Sequence, residues 1–145
     1  MANYQKFNAF VENQLISNLD WNADVFKIML TNVAPLSTNS VKADLTEIAA
    51  GNGYNAGGSV LSGAGNGITV TRSGGTVKVA GGDVVFTAAG GTIGPFQYAV
   101  LYDDTPTSPA DPLVAWWAYT SSVTLNSGET FTVDFDATNG IFQLT

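Results

Sequence analysis

Two aspartates near the C-terminus are the residues whose type and spacing come closest to a catalytic pair. Asp134 and Asp136 lie two positions apart in "ETFTVDFDATNG". On a strand they share one face, and two carboxylates ~5–9.5 Å apart in a cleft can hydrolyse a glycosidic bond. Any outward-facing pair on an amphipathic strand has the same spacing, and such charges discourage edge-to-edge pairing of strands. A glycosidase is therefore the weakest functional interpretation of this sequence.

Three further aspartates flank a proline-rich loop, "DDTPTSPADP". Asp103 and Asp104 end the preceding strand, and carboxylates with loop carbonyls suit Ca²⁺. Adjacent residues of a strand point to opposite faces, however, so these two side chains converge only if the chain bends. We interpret them, with Asp111, as solvated loop acids, and we expect no metal and no cofactor.

The composition removes most other catalytic chemistry. The sequence contains no cysteine and no histidine, so thiolate chemistry and the commonest general base are missing, and serine has no base to activate it. The net charge is −7, and the five basic residues are scattered. Binding of nucleic acid or of an anionic membrane needs clustered cations. We therefore expect a protein that is not an enzyme and binds neither nucleic acid nor membrane.

The run "AAGNGYNAGG" raises the possibility of a phosphate-binding loop. Its glycine spacing is not G-x-G-x-x-G, and no GK[ST] follows. Asp44 precedes Glu47 by three residues, an aspartate version of the capping box, which predicts helical turns over residues 45–50. Gly51 would end that helix, and Asn52-Gly53 would form a tight turn.

The N-terminal segment carries the clearest helical pattern. Phe7, Phe10 and Leu15 recur on one stripe, which predicts a helix over residues 3–19 with Asn3 as its N-cap. This helix packs either on its own domain or, as an arm, on another subunit. From Asp24 the pattern alternates, and Lys27 marks Val25, Lys27 and Met29 as the more exposed face of a strand.

The rest of the chain alternates between short strands and turns. We count about eight strands, with hairpin turns expected at Ser73-Gly74-Gly75 and at Gly81-Gly82. No helix separates the later strands, so parallel βαβ units are not expected. The prediction is one all-β domain over residues 1–145, an antiparallel β-sandwich, jelly-roll or Greek-key-like, with an N-terminal α-helix. No signal peptide and no membrane-spanning run are recognisable.

Trp116 and Trp117 are adjacent in a predicted strand, so one should enter the core while the other points outward. An exposed tryptophan can anchor a protein interface or stack on a sugar ring. If both faces of the strand are covered, both residues simply belong to the core. The sequence leaves these alternatives open.

Four stretches together resemble the capsid decoration, or cement, proteins of tailed bacteriophages: "LTEIAAGNGYNAGG", "GPFQYAVLYDD", "DPLVAWWAYTSSVTL" and "GETFTVDFDATNG". The resemblance follows the chain in order from the N-terminal helix to the last strand. It implies a non-enzymatic β-sandwich module that forms a homo-oligomer, a dimer or trimer, on the outer surface of the virion head. Its implied partner is the major capsid protein, and it would be made in the host bacterial cytoplasm.

The contact residues that we predict from this interpretation are aromatic or lie in and beside the proline-rich loop. They are Trp116, Trp117, Tyr102, Asp103, Asp104, Pro106, Pro109, Phe7 and Phe10. The alternative function is a phage tail or host-attachment protein, or a carbohydrate-binding module, motivated by aromatic residues near loops and by the acidic pairs.

Overall fold

The computed structural model describes residues 2–145, which form ten strands, one α-helix and one short 3-10 helix. In chain order the elements are β1 (Asn3–Lys6), α1 (Asn8–Leu15), β2 (Phe26–Thr31), the 3-10 helix (Lys42–Asp44), β3 (Ser59–Val60), β4 (Ile68–Ser73), β5 (Thr76–Gly81), β6 (Val84–Thr87), β7 (Ile93–Asp103), β8 (Leu113–Leu125), β9 (Thr130–Val133) and β10 (Phe142–Leu144).

The strands form three antiparallel sheets. The largest has the order β1-β8-β7-β2-β3, and the others are β10-β5-β4 and β6-β9. The long β7–β8 hairpin forms the centre of the large sheet, with β2 beside β7 and β1 beside β8. This arrangement confirms the prediction of an all-β sandwich with an N-terminal helix.

The main hydrophobic core lies between the large sheet and the two smaller ones. Ile28, Ala99 and Leu101 project into it from the large sheet, while Val79 and Phe86 enter from the opposite layer. Alternate residues of β2 and β6 are apolar and buried, as expected where one face of a sheet packs on another. Burial of these side chains is the principal stabilising contribution, at about 25 cal/mol per Å² of apolar surface.

A second, smaller core covers the other face of the large sheet. Met29, Val100 and Trp116 lie side by side there, with Phe7 packed against the Trp116 ring. Part of the 32–58 segment covers this face, since Leu45 packs against this core and the Tyr102 hydroxyl donates to the Gly57 carbonyl. Val25 and Lys27 lie on the more exposed face, as predicted, but the prediction is wrong for Met29, which is fully buried in this second core.

The N-terminal prediction needs correction. Residues 3–6 form β1, which pairs with residues 115–118 of β8, and the helix is confined to Asn8–Leu15. Phe7, not Asn3, is the N-cap residue, and no side chain caps the helix. Pairing with the open edge of β8 satisfies the polar backbone of residues 3–6 in a way that helix propensity alone cannot predict. Phe10 is buried, whereas Leu15 is 80% exposed.

The predicted helix over residues 45–50 is also wrong. The 3-10 helix ends at Asp44, whose carboxylate accepts hydrogen bonds from the backbone N–H groups of Ser40 (2.8 Å) and Val41 (3.2 Å). Asp44 is therefore the last residue of the short helix, its carboxylate caps the start of that same helix, and it begins no helix after it. Residues 45–50 have no regular secondary structure, and the N–H of Ile48 donates to the Leu30 carbonyl.

The turn predicted at Asn52-Gly53 is confirmed. Both residues have positive φ, +55° and +99°, and Gly51 pairs with Tyr54 across the turn. A Cβ at Gly53 would overlap the Thr87 carbonyl oxygen, so this position accepts only glycine. The glycines of this run therefore form a backbone corner and not a phosphate loop.

The two predicted hairpins have different outcomes. Ser73-Gly74-Gly75 does connect the paired strands β4 and β5, as expected. Gly81-Gly82 does not form a hairpin, because β5 pairs with β10 and β6 pairs with β9. The chain crosses between sheets there, and a Cβ at Gly82 would overlap the Ser62 carbonyl oxygen.

Candidate functional site

The loop between β7 and β8, residues 104–112, is anchored at its base by a buried carboxyl. Asp103 is fully buried, and its backbone N–H donates to the Pro112 carbonyl across the hairpin. Its Oδ1 accepts the backbone N–H of Thr105 at 3.0 Å. The prediction that Asp103 is a solvated loop acid is therefore wrong, because its buried side chain stabilises the first turn of the loop.

The other oxygen of Asp103 lies against a second carboxyl. Within residues 2–145, Oδ2 has no donor partner while both carboxyls are ionised, and its neighbour is the side chain of Asp24. A proton on Asp103 provides the missing bond, because the protonated oxygen can then donate to Asp24. Burial, helped by the Asp24 carboxyl, raises the pKa of Asp103 to about 8.

The first half of the β7–β8 loop is held by an ion pair with β2 and by hydrogen bonds with Val25, the residue that precedes β2. The backbone N–H of Val25 donates to Thr105 Oγ1 at 2.7 Å, and the N–H of Asp104 donates to the Val25 carbonyl at 2.8 Å. The Lys27 ammonium lies 2.6 Å from Asp104 Oδ2. Asp103 and Asp104 therefore point to opposite sides, as the strand spacing predicts, and do not converge on a common cation.

The second half of the β7–β8 loop is closed by backbone bonds. The N–H of Asp111 donates to the Pro106 carbonyl, and Thr107 pairs with Ala110 across the tip. Pro106 and Pro109 are half-buried, whereas Thr107 and Ser108 are exposed. The result is a closed loop whose small tip residues face solvent.

Most of the predicted contact residues lie inside the protein. Phe7, Phe10, Tyr102, Asp103 and Trp116 are all buried. The Trp116 ring packs 4.5 Å from that of Phe7, and the Tyr102 hydroxyl donates to the Gly57 carbonyl at 2.7 Å. In the folded chain, these side chains support a surface without forming it.

Four of the predicted contact residues reach solvent: Asp104, Pro106, Pro109 and Trp117. The first three belong to the β7–β8 loop, whereas Trp117 lies on another part of the surface. The structure thus separates the predicted contacts into a loop and an aromatic region.

Trp117 forms part of a groove of about 660 Å³ beside the β1–β8 edge of the large sheet. We call it the aromatic groove. Its aromatic residues are Tyr4, Trp117, Tyr119, Phe135 and Phe142. Tyr4 and Phe135 each meet the Trp117 ring in a T-shaped arrangement, with ring centroids 5.7 Å and 5.3 Å away. These contacts hold the half-exposed indole in place.

The polar side of the aromatic groove contains both members of the predicted acidic pair. Asp136 accepts hydrogen bonds from the Asn139 and Thr138 backbone and from the Asn139 amide, which lower its pKa. Asp134 is exposed and, within residues 2–145, has neither a hydrogen bond nor an ion pair. Asp136 is a fixed turn residue, whereas Asp134 is available to a ligand.

This geometry does not suit glycoside hydrolysis. A general acid needs a carboxyl with a raised pKa, as in a buried apolar site. The bonds to Asn139 move the pKa of Asp136 in the opposite direction.

Within residues 2–145, no three side chains among His, Cys, Asp and Glu come together in a way that could hold a metal ion.

Two phenol groups in the aromatic groove remain protonated at neutral pH. Burial raises the pKa of Tyr4 to about 12 and also raises the pKa of Tyr119. Their hydroxyls can therefore both donate and accept hydrogen bonds.

Sequence reasoning found Trp117 and the acidic pair but missed Tyr4, Tyr119 and Phe142. These come from three strands that are remote in sequence and meet only in the folded chain. One signal was present: Trp117 and Tyr119 are two residues apart, so they share a face of β8.

Comparison with known proteins found no match. No protein-family model, curated protein or solved structure matches this chain. No helix in residues 2–145 has the length and apolar character needed to span a membrane.

Proposed function

We propose that this chain is a non-enzymatic structural protein of a tailed-bacteriophage virion, a capsid decoration protein that binds the major capsid protein on the outside of the head and stabilises the shell. The observation that carries the proposal is the β7–β8 loop. It connects the two central strands of the large sheet, closes on itself through backbone bonds, and presents small exposed residues at its tip.

A closed loop suits docking because it has little conformational freedom to lose. Immobilising a flexible segment on binding costs about 0.5–1.5 kcal/mol for each ordered side chain. Here the bonds from Val25, Lys27 and Thr105 already hold the loop before any partner arrives. More of the contact energy then remains as affinity.

Self-association would multiply such contacts. The surface of α1 and the residue after it exposes three apolar side chains, Val11, Leu15 and Ile16, which another copy of the chain could cover. In a dimer or trimer, each loop that docks raises the effective concentration of the next. Modest individual contacts would then suffice to clamp neighbouring capsid subunits.

The net charge fits a position on the outer surface of the capsid. A protein of charge −7 made in the bacterial cytoplasm repels packaged and stray DNA. Decoration of the shell would then be directed by the capsid surface and not by nucleic acid.

Co-sedimentation with emptied mature capsids of the encoding phage tests the proposal. The variant Thr107→Arg places a long charged side chain at the exposed loop tip, and Thr71→Arg places the same change on exposed strand β4 as the matched control. We expect the unchanged chain and the control to sediment with capsids, and the tip variant to bind at least about tenfold more weakly.

Two results would overturn the proposal. If the unchanged chain fails to sediment with mature capsids, the proposed function is wrong. If Thr71→Arg and Thr107→Arg weaken capsid binding equally, the loop is not the contact surface.

A further inference from the structure

We propose that the aromatic groove binds an uncharged hexopyranose glycan, with Trp117 as the stacking platform and Asp134 as the hydrogen-bond acceptor. The inference is independent of capsid binding, because the groove and the β7–β8 loop use different residues.

The size and lining of the groove match a small-ligand site. Ligand pockets commonly have volumes of about 300–1,000 Å³ and combine apolar walls with a few polar groups. The aromatic groove, at about 660 Å³, lies within that range and is open to solvent along one side. It can therefore take part of a chain of sugars without burying its ends.

The aromatic rings provide the apolar half of the recognition. The C–H face of a pyranose ring is flat and apolar, and it packs well on an aromatic face that is fixed before binding. Trp117 is half-buried and held by Tyr4 and Phe135. A platform held in this way loses little freedom when a sugar stacks on it.

The polar half of the recognition comes from groups that can still take a hydrogen-bond partner. The Asp134 carboxylate is unbonded within residues 2–145, and a carboxylate accepts sugar hydroxyls in strong, charge-assisted bonds. The side chains of Tyr4 and Tyr119 line the same groove and their hydroxyls are protonated, so they can donate to ring and hydroxyl oxygens.

The negative charge of the aromatic groove favours uncharged glycans over acidic ones. Asp134 and Asp136 both line the groove, so a uronate, sialate or phosphate would meet like charges. The nearby Lys78 ammonium is directed to the carbonyls of Ala137 (3.1 Å) and Thr138 (3.4 Å). An uncharged sugar gains the acceptor without the repulsion.

The three indole N–H groups of the protein allow a direct test by NMR. Trp21 donates its indole N–H to Gln14, and Trp116 is buried in the second core. Only Trp117 lines the groove. Titration of the full chain with maltohexaose, cellohexaose, laminarihexaose and chitohexaose should shift the Trp117 indole signal with at least one of them, and leave the other two indole signals in place.

Variants at exposed positions test the site without disturbing the core. Tyr4→Ala removes one of the two rings that hold Trp117 in place, and Asp134→Asn removes the charged acceptor. We expect each to weaken binding by at least about fivefold. Glu12→Gln, the same kind of change on exposed α1, should bind as the unchanged chain does.

Four results would overturn the inference. One is no shift with any of the four sugars at about 10 mM, a concentration that saturates sites with Kd below about 1 mM. The second is binding that Tyr4→Ala and Asp134→Asn leave unchanged. The third is equal or tighter binding of polygalacturonate. The fourth is displacement of the sugar by an unstructured peptide of the same length, which would make the groove a peptide site.

Loss of the inference would leave capsid binding untouched, since sedimentation with capsids is measured separately and depends on the loop tip.

Discussion

The β7–β8 loop and the aromatic groove both contain aspartates, but the carboxylates make different interactions in the two regions. In the loop, Asp103 is buried against Asp24, and Asp104 is paired with Lys27. In the groove, Asp136 holds a turn while Asp134 remains unbonded within residues 2–145. The aspartates of the loop hold its own structure, whereas the groove has one carboxylate that makes no such bond.

We propose on this basis that the β7–β8 loop docks by shape and that the aromatic groove binds a ligand through specific polar and aromatic contacts. A closed loop with small tip residues can fit a complementary protein surface at low entropic cost. An open groove with aromatic rings and an available acceptor can recognise a small polar molecule. The following experiments test the contrast, beginning with the largest expected effect.

Replacing each of the adjacent tryptophans by alanine should show how differently they serve the protein. Trp116 lies in the second core against Phe7, so Trp116→Ala should lower the free energy of unfolding by about 3–5 kcal/mol. Trp117 is half-exposed, so Trp117→Ala should cost clearly less stability. Urea denaturation of both variants provides the measurement. Equal losses would show that Trp117 is a core residue and not a surface platform.

The buried carboxyl at the base of the loop should give the protein an unusual pH dependence. The pKa of Asp103 is raised to about 8, whereas the unfolded carboxyl titrates near its usual value of about 4. The folded state therefore keeps a proton that the unfolded state loses between these values. The contribution of this group to stability is full below about pH 4 and is lost as the pH rises through about 8.

Asp103→Asn tests that dependence, because the amide is uncharged at every pH. We expect the variant to be more stable than the unchanged chain at pH 8.5, by about 1–3 kcal/mol, and to lose the decline between pH 5 and 8. The pKa values of Asp44 and Asp136 are lowered, so their contributions are lost only as the pH falls below the usual carboxyl range. Denaturation curves at several pH values separate the two effects. A parallel decline in both proteins would contradict the account.

Removing one hydroxyl should loosen the loop without affecting the groove. Thr105→Val deletes the acceptor for the Val25 N–H, which should cost about 0.5–1.5 kcal/mol. Hydrogen exchange of residues 104–111 should speed up, while exchange around Trp117 stays the same. Unchanged exchange in the loop would show that the hydroxyl does not hold it.

The ion pair on the loop should have the smallest effect. Lys27→Met removes the ammonium that lies 2.6 Å from Asp104 Oδ2, and both side chains are partly exposed. Pairs of this kind contribute about 0.2–1 kcal/mol, and less at high salt. The loss should therefore shrink when denaturation is repeated in about 1 M NaCl. A larger, salt-independent loss would mean that the Lys27 side chain matters through its packing.

The fold class could be predicted because its signals are local. The alternation over "ITVTR" and "TVKVA" with the Ser73-Gly74-Gly75 turn defines a hairpin in one stretch of chain, and the structure contains it as β4 and β5. The N-terminal strand could not be predicted in this way. Residues 3–6 are mostly polar, and their strand conformation depends on the open edge of β8, which is remote in sequence.

The candidate sites were predicted only in part for the same reason. The two tryptophans were expected to face opposite sides, which they do, but their different burial depends on Phe7 and Leu45, which cover the face that holds Trp116. The aromatic groove joins β1, β8 and β10, and no local pattern brings Tyr4 and Phe142 beside Trp117. The environment of Asp103 could not be predicted from its neighbours in the sequence, because the carboxyl that lies beside it belongs to Asp24, which is remote in the chain.

Cryo-electron microscopy of the head of the encoding phage tests the central proposal most directly. We expect one copy of the sandwich at each of a set of symmetry-related positions on the outer shell, with the tip residues Thr107, Ser108 and Ala110 against the major capsid protein. Absence of the chain from the particle, or a bound chain whose β7–β8 loop faces solvent, would contradict the account.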